Sequence, residues 1–213
     1  HYQSFEMPTL LRLIQEQEVD VVLLQEIRRN GRSPGEYLFD RLPGWYKRTR
    51  GEVAILARWP VSNLAVVPLR GSSQRVVLSA QVMAPKRFRA TVVHWSRPRL
   101  RRTKPSLPEQ AQAQTRDFLA TQVAIQDSPL PQILAGDFNC PPHHPLSHAL
   151  GRRLANAFGS SGSGPGWTFP ADRPVVRIDH IYAGDGLQPV RAWVGPNVGS
   201  DHLPVLADLV FGP

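Results

Sequence analysis

Near the start of the chain Leu10, Leu11, Leu13 and Ile14 recur at helical spacing behind a Pro8 suited to a first turn, which predicts a helix over about residues 8–17. Val19, Val21, Val22, Leu23 and Leu24 then form an almost unbroken β-branched run, the pattern of a strand covered on both faces, ending at Gln25-Glu26. Further strands are predicted over residues 53–57, 64–67, 75–82 and 88–94, closely spaced between Pro, Gly and Ser-Ser turn signals and therefore antiparallel. A long helical pattern opens at Pro108-Glu109, with the acid well placed in the first turn, and runs to about Gln126; Phe118, Leu119, Val123 and Ile125 are its candidate core contacts. Residues 133–135 read as a short buried strand running into Gly136-Asp137-Phe138-Asn139, followed by a brief helix over 146–150. The stretch 159–166, GSSGSGPG, is a flexible loop by composition, and strands over 175–182, 190–194 and 203–210 complete the chain. No repeat and no linker divides it. Strand pairs mixed with a few helices predict one domain over residues 1–213, of α/β or α+β class, built on layered sheets.

Composition agrees and adds little until charge is considered. With 213 residues, 41% hydrophobic and 20% charged, the chain can bury a sizeable core and is neither disordered, collagen-like nor coiled coil. No apolar run approaches the roughly 18 residues of a membrane span. The single cysteine, Cys140, excludes an internal disulfide framework and a four-cysteine zinc site. The net charge of +8 is unevenly placed: the basic excess lies in the first half, and between Glu52 and Glu109 there are eleven Lys or Arg and no acid. Arg97, Arg99, Arg101, Arg102 and Lys104 are nearly consecutive. An electropositive face of this kind attracts nucleic acid first, and anionic lipid headgroups or pyrophosphates by the same field. A merely solvated surface is the plainer alternative, because nearly all the basic residues are Arg.

Strands aim side chains while the loops beyond them leave room for a substrate, so chemistry is sought where strands end. Here strands deliver Gln25-Glu26, His94-Trp95, Asp137 with Asn139, and Asp179-His180, while Gly199-Ser200-Asp201-His202 precedes the last strand. Several carboxylates, an Asn and imidazoles at such positions make the inventory of an oxygen-ligated Mg²⁺ or Mn²⁺ site; zinc would prefer more nitrogen or sulfur.

LLQE at 23–26, TVVHW at 91–95, GDFN at 136–139, WTF at 167–169, RIDHIY at 177–182 and GSDHLPV at 199–205 resemble, in order, the motifs of the endonuclease/exonuclease/phosphatase superfamily, which includes deoxyribonuclease I-like and apurinic-endonuclease-like enzymes. The resemblance implies a four-layered α/β sandwich, two packed mixed sheets flanked by helices, with the active site at one end of the sheets. It implies Glu26 as principal metal ligand with Asp201 near the metal, His202 as catalytic histidine oriented by Asp179, Asp137 as the group that positions or deprotonates water, and Asn139 as a transition-state donor. His94 matches a phosphate-contacting or leaving-group position. The implied reaction is in-line attack of water on a phosphoester, which asks the protein to position groups and neutralise charge. Family members also begin with a strand ending in an Asn that supports the metal. This chain opens on His1 with a helix almost at once, so that strand is expected upstream, with room there for a signal or anchor, the alternative being a variant that does without it; without it neighbouring strands would be left with unpaired edges.

Other polar residues read as structural. His180 points away from Asp179 on the other face of its strand. Cys140, His143, His144 and His148 invite a zinc reading that the surrounding prolines and the missing fourth ligand oppose, and Cys140 has no evident base to make it a nucleophile. Trp167 either walls the site or joins the core. Charge then bears on substrate: the acid-free interval and the Arg97, Arg99, Arg101 and Arg102 cluster after His94 favour DNA or RNA, acted on by a monomer with no protein partner. A phosphatase of a membrane-associated lipid phosphate or isoprenoid pyrophosphate is the enzyme alternative, and a catalytically silent phosphate-binding module the non-enzyme one. A nuclease would work in the cytoplasm, a lipid phosphatase outside it or on a membrane anchor.

Overall fold

A computed structural model describes residues 7–27, 34–69, 75–98, 106–126, 128–184 and 186–212. In chain order the elements are α1 (Met7–Glu16), β1 (Val21–Leu24), α2 (Pro34–Arg41), β2 (Tyr46–Arg50), β3 (Val53–Ala57), β4 (Val61–Pro68), β5 (Val76–Val82), β6 (Phe88–His94), α3 (Leu107–Ile125), β7 (Gln132–Asp137), α4 (Pro145–Gly151), β8 (Ala155–Asn156), α5 (Ala157–Ser161), β9 (Asp179–Ala183), β10 (Leu187–Val194) and β11 (Val205–Phe211). One sheet has six strands in the order β4-β5-β6-β7-β9-β8, with β6 and β7 parallel and the other pairs antiparallel. Facing it are β1-β3-β2 and the β10-β11 ribbon.

Period-two alternation assigns the layers. Val53, Ile55 and Ala57 of β3 meet Val76, Leu78, Ala80 and Val82 of β5 and Phe88, Ala90 and Val92 of β6 between the sheets. The alternate residues Ala54 and Leu56 face Leu10, Leu13 and Ile14 of α1 and Leu38 of α2. On the far side Val77, Val93 and Leu134 pack with Ala124 and Ile125 of α3 and Leu150 of α4. The result is helices, sheet, sheet, helices. Because β3 is covered on both faces, every residue in it is buried, and each of its larger aliphatic side chains contributes about 1.5–3 kcal/mol.

β1 pairs only with β3, and β11 only with β10, among the described residues. A cleft of about 660 Å³ lined by Val21–Leu24 and by Val205, Leu206 and Leu209 lies between these strands.

Several expectations are corrected. α3 does not bury Leu119 and Val123, each 55% exposed; its inward face is Gln110, Gln114, Asp117, Thr121, Ala124 and Ile125. Of the inward polar residues, Gln114, Asp117 and Thr121 serve hydrogen bonds described below. The GSSGSGPG stretch is not a featureless loop, since α5 takes its first three residues, capped by the Asn156 side chain, and Gly162 bridges to Ala192. Residues 175–178 are not yet strand; Val176 bridges to Phe169 instead. β2, a polar edge strand of sequence YKRTR, α2 and the two-residue β8 carry no apolar alternation that would have signalled them.

Candidate active site

Three site residues lie side by side because three strands end in register. His94 of β6 is opposite Asp137 of β7, and Asp137 is opposite Asp179 of β9. The close approach at this point requires glycine: Gly136 has φ +147°, and a Cβ there would lie 2.0 Å from the Val93 carbonyl oxygen. His202 enters from the segment between β10 and β11, where its Nδ1 meets Asp179 Oδ2 at 2.9 Å. Asp137, Asp179 and His202 each offer a ligand atom within 4.8 Å of the others.

Asp137 is buried and shaped by Asn139, whose backbone N–H donates to Oδ1 and whose Nδ2 donates to Oδ2, both at 2.8 Å. Nδ2 also donates to the Trp95 carbonyl at 3.0 Å, so in this structure the Asn139 amide orients Asp137. Asn139 and Glu26 both hold left-handed backbone, φ 48° and 53°, a conformation that is costly for Glu and is tolerated where surrounding structure imposes it. Burial and the adjacent Asp179 charge push the Asp137 carboxyl up to about 6, against the opposing influence of His94 and His202. Burial would lower His202, but the hydrogen bond and charge of Asp179, then Asp137 and Asp201, raise it to about 9. Its imidazolium is therefore the form present at neutral pH.

A second imidazole–carboxylate pair faces the first. His94 Nδ1 lies 2.8 Å from Glu52 Oε1, leaving Nε2 turned to Asp137 Oδ2 at 3.5 Å and Glu26 Oε1 at 4.0 Å. Glu52 also accepts from Arg75 Nε at 3.1 Å. Burial would raise Glu52, yet His94 and Arg75 together hold it below the usual carboxylate range. Arg75 continues to the carbonyls of His94 and Trp95 and to Ser96 Oγ. From α3, Asp117 accepts the Ser96 N–H and Gln114 donates to the Ser96 and Asn139 carbonyls. Thr121 accepts from Trp95 Nε1. These partners hold the segment that leaves β6 and explain the polar inner face of α3.

Glu52, Arg75, Gln114 and Asp117 escaped the sequence reading. Glu52 is the last acid before the long acid-free interval and stands in the hairpin turn before the buried β3, so searching strand beginnings as well as strand ends would have found it. Of the expected residues, Glu26 is half exposed beside His94, whereas Asp201 is exposed in the turn preceding His202 and outside the Asp137–Asp179–His202 group. Arg97 stacks on the Phe169 ring at 5.1 Å, and Phe169 lies 4.8 Å from the His202 ring. Arg99, Arg101, Arg102 and Lys104 lie outside the described residues. Trp167 is 46% exposed and so is not core. His180 is structural as expected: it is buried, its Nε2 donates to the Cys140 carbonyl at 2.9 Å, and burial pushes it down to about 4. Burial pushes the Cys140 thiol up to about 11, and the His144 side chain caps α4.

The donor set suits a hard divalent cation. Asp137 and Asp179 are register neighbours whose like charges raise Asp137, and Glu26 approaches the same imidazole; an oxygen-bound cation would relieve that repulsion.

Known proteins share this fold. The chain belongs to the Endonuclease/Exonuclease/phosphatase family, which matches residues 7–202 and whose members are metal-dependent hydrolases of phosphoester bonds. The uncharacterized protein YbhP of Escherichia coli K12 is 27% identical over 238 residues, covering 97% of this chain and 89% of that protein. Among solved structures, a mannosyl-6-phosphatase of Bacteroides thetaiotaomicron superposes with a TM-score of 0.79 at 18% identity, over 97% of this chain and 91% of its own. D. rerio TDP2 complexed with a single-strand DNA product superposes with a TM-score of 0.76 at 17% identity, over 99% and 93%. At these identities the two structures establish the fold.

Proposed function

We propose that this metal-dependent phosphoesterase is a nuclease that hydrolyses phosphodiester bonds of DNA or RNA by in-line attack of water, acting as a monomer with Mg²⁺ or Mn²⁺. The observation that carries the reading is the convergence of two imidazole–carboxylate pairs, Asp179–His202 and Glu52–His94, on the buried Asp137, with Arg97 held at the rim on Phe169. A guanidinium fixed beyond the reacting phosphate suits a substrate that carries further phosphates. The single-strand DNA bound by the similar TDP2 supports the same class.

Glu26 would hold the cation, with Asp201 completing its ligands, and the cation would neutralise charge on the phosphoryl and leaving oxygens. Asp137, with its elevated pKa, positions the attacking water and takes its proton. Asn139 keeps that carboxylate oriented. His202, charged at neutral pH, donates to the phosphoryl oxygens as negative charge builds, and Asp179 keeps its Nδ1–H directed away from substrate. His94 Nε2 contacts phosphate or the leaving oxygen, and the basic residues Arg97, Arg99, Arg101 and Arg102 bind flanking phosphates.

The likeness to a mannosyl-6-phosphatase favours the second reading, a phosphatase of a phosphomonoester or lipid pyrophosphate. A silent binding module has no physical reason to keep a buried carboxylate between two paired imidazoles. The test is hydrolysis of single-stranded and duplex DNA, RNA, a hexose 6-phosphate and an isoprenyl pyrophosphate, each with Mg²⁺ and with EDTA. Metal-dependent cleavage of nucleic acid is expected; phosphate release from the sugar or lipid alone would replace this reading with the second.

A further inference from the structure

A groove of about 470 Å³ is lined by Phe158, Ser163, Pro165, Trp167, Pro174 and Trp193. No carboxylate lines it. Its wall is tied to the site: Trp167 precedes Thr168, whose hydroxyl accepts the Ile178 N–H at 3.2 Å and the Asp179 N–H at 3.4 Å, and whose carbonyl accepts the Leu203 N–H at 2.8 Å. The carboxylate that orients His202 and the residue after His202 thus share one anchor with this wall. Two guanidinium groups stack on rings that line the groove. Arg177 stacks on Phe158 at 4.4 Å and Arg191 on Trp193 at 4.3 Å, and neither joins an ion pair among the described residues. The Arg177 Nε is buried without a hydrogen-bond acceptor, and burial lowers the pKa of its guanidinium. Arg177 is half-buried and Arg191 exposed, and two such arginines over aromatic rings without carboxylates call for an anion that also carries a planar ring.

We propose that this groove is a subsite for a nucleobase of single-stranded nucleic acid, next to the phosphodiester being cleaved, with Trp167 and Trp193 supplying stacking surface and Arg177 and Arg191 the charge opposite the flanking phosphates. The assignment rests on the nuclease reading and adds to it a requirement for an unpaired base at one position beside the cut. The volume accommodates one base with its sugar. Stacking is indifferent to base identity, so the subsite selects single strand over duplex without selecting sequence.

The test compares two labelled oligomers of equal length and charge, a single-stranded thymidine octamer and its base-free abasic counterpart, binding in EDTA to the intact protein and to the Trp193→Ala and Trp193→Phe variants. The protein is expected to bind the base-bearing oligomer about tenfold more tightly than the abasic one. Trp193→Ala is expected to abolish most of that preference and Trp193→Phe to restore much of it, whereas affinity for the abasic oligomer stays the same in all three. Equal binding of the two oligomers by the intact protein overturns the subsite, as does a preference that survives in Trp193→Ala. Because the intact protein alone must show the preference, a variant that folds poorly does not shelter the proposal. If the intact protein cleaves nucleic acid with Mg²⁺ but shows no base preference, the subsite falls and the nuclease reading stands; if it neither binds nor cleaves nucleic acid, both fall. A sugar-binding groove would show instead as competition by a hexose phosphate and not by thymidine.

Discussion

Glu52 stands to His94 as Asp179 stands to His202: a carboxylate oxygen lies 2.8 Å from one imidazole Nδ1 and 2.9 Å from the other, and both imidazoles have a nitrogen within 4.8 Å of an Asp137 oxygen. The second pair makes Glu52 a positioning residue in the proposed reaction. Outer partners of this kind are typically worth about 10–100-fold in activity. Glu52→Gln, which keeps the shape and removes the charge, is expected to lower kcat on bis(p-nitrophenyl) phosphate within that range with little change in melting temperature. An unchanged kcat would reduce the pair to a structural contact.

His202→Ala removes the imidazolium and is expected to lower kcat by at least about a hundredfold, the usual scale for a general acid or base. Asp179 and His202 act as one unit, so His202→Ala and Asp179→Asn together should cost no more than the larger single effect. Steady-state kinetics of the two single variants and the double variant check this. Fully multiplicative losses would separate their roles.

Glu26→Gln tests the ion site. It is expected to weaken Mg²⁺ or Mn²⁺ binding and activity in parallel, by an order of magnitude or more, since carboxylates are the natural ligands of such ions. Calorimetric titration with the metal and a metal-dependence curve of activity report the two effects. Unaltered metal affinity would move the ion to the Asp137 and Asp179 carboxylates.

Protonation links the site to stability. His202 has a folded pKa raised from the ordinary 6.5 to about 9, so its favourable contribution is complete below pH 6.5 and is lost as pH rises through 9. Asp137 is raised from 3.8 to about 6, so the folded state holds its proton more tightly, and stability falls as pH climbs from 4 toward 6. Both slopes have the same sign. In EDTA the melting temperature is expected to decline across pH 6.5–9, and His202→Ala should flatten that decline. A melting temperature that rises over this window would contradict the assignment.

Gly136→Ala would drive a Cβ to 2.0 Å from the Val93 carbonyl, at φ +147°. Rigid backbone cannot yield as a side chain would, and a loss of about 3 kcal/mol or more is expected, at or above the upper range for overpacked cores. Denaturant unfolding measures it. A loss below about 1 kcal/mol would mean that β6 and β7 separate readily.

Much of this architecture was legible in the chain because its central strands carry their own signal. The run Val53–Ala57 is apolar throughout because both its faces are covered, and the motifs around Glu26, His94, Asp137, Asp179 and His202 fall at strand ends. What stayed hidden depends on partners distant in sequence. Glu52 becomes significant only through His94, with which it shares no local pattern. In α3, Gln114 and Asp117 look like solvent residues until the Ser96 and Asn139 backbone is set against them. Residues 159–166 read as loop because glycine dominates, yet Gly162 and Gly166 are there for closeness: a Cβ at either would lie 2.4–2.6 Å from the Phe158 ring.

The central claim is a metal-dependent cut in nucleic acid made by the His202–Asp179–Asp137 group. The most direct measurement follows the cleavage of an end-labelled single-stranded oligonucleotide by the intact protein and by an identically purified His202→Ala variant, each with Mg²⁺ and with EDTA. Products that form with Mg²⁺, vanish in EDTA and fall at least about a hundredfold in the variant are expected. Cleavage that persists undiminished in the variant or in EDTA, or that does not occur at all with Mg²⁺ or Mn²⁺, would contradict the account.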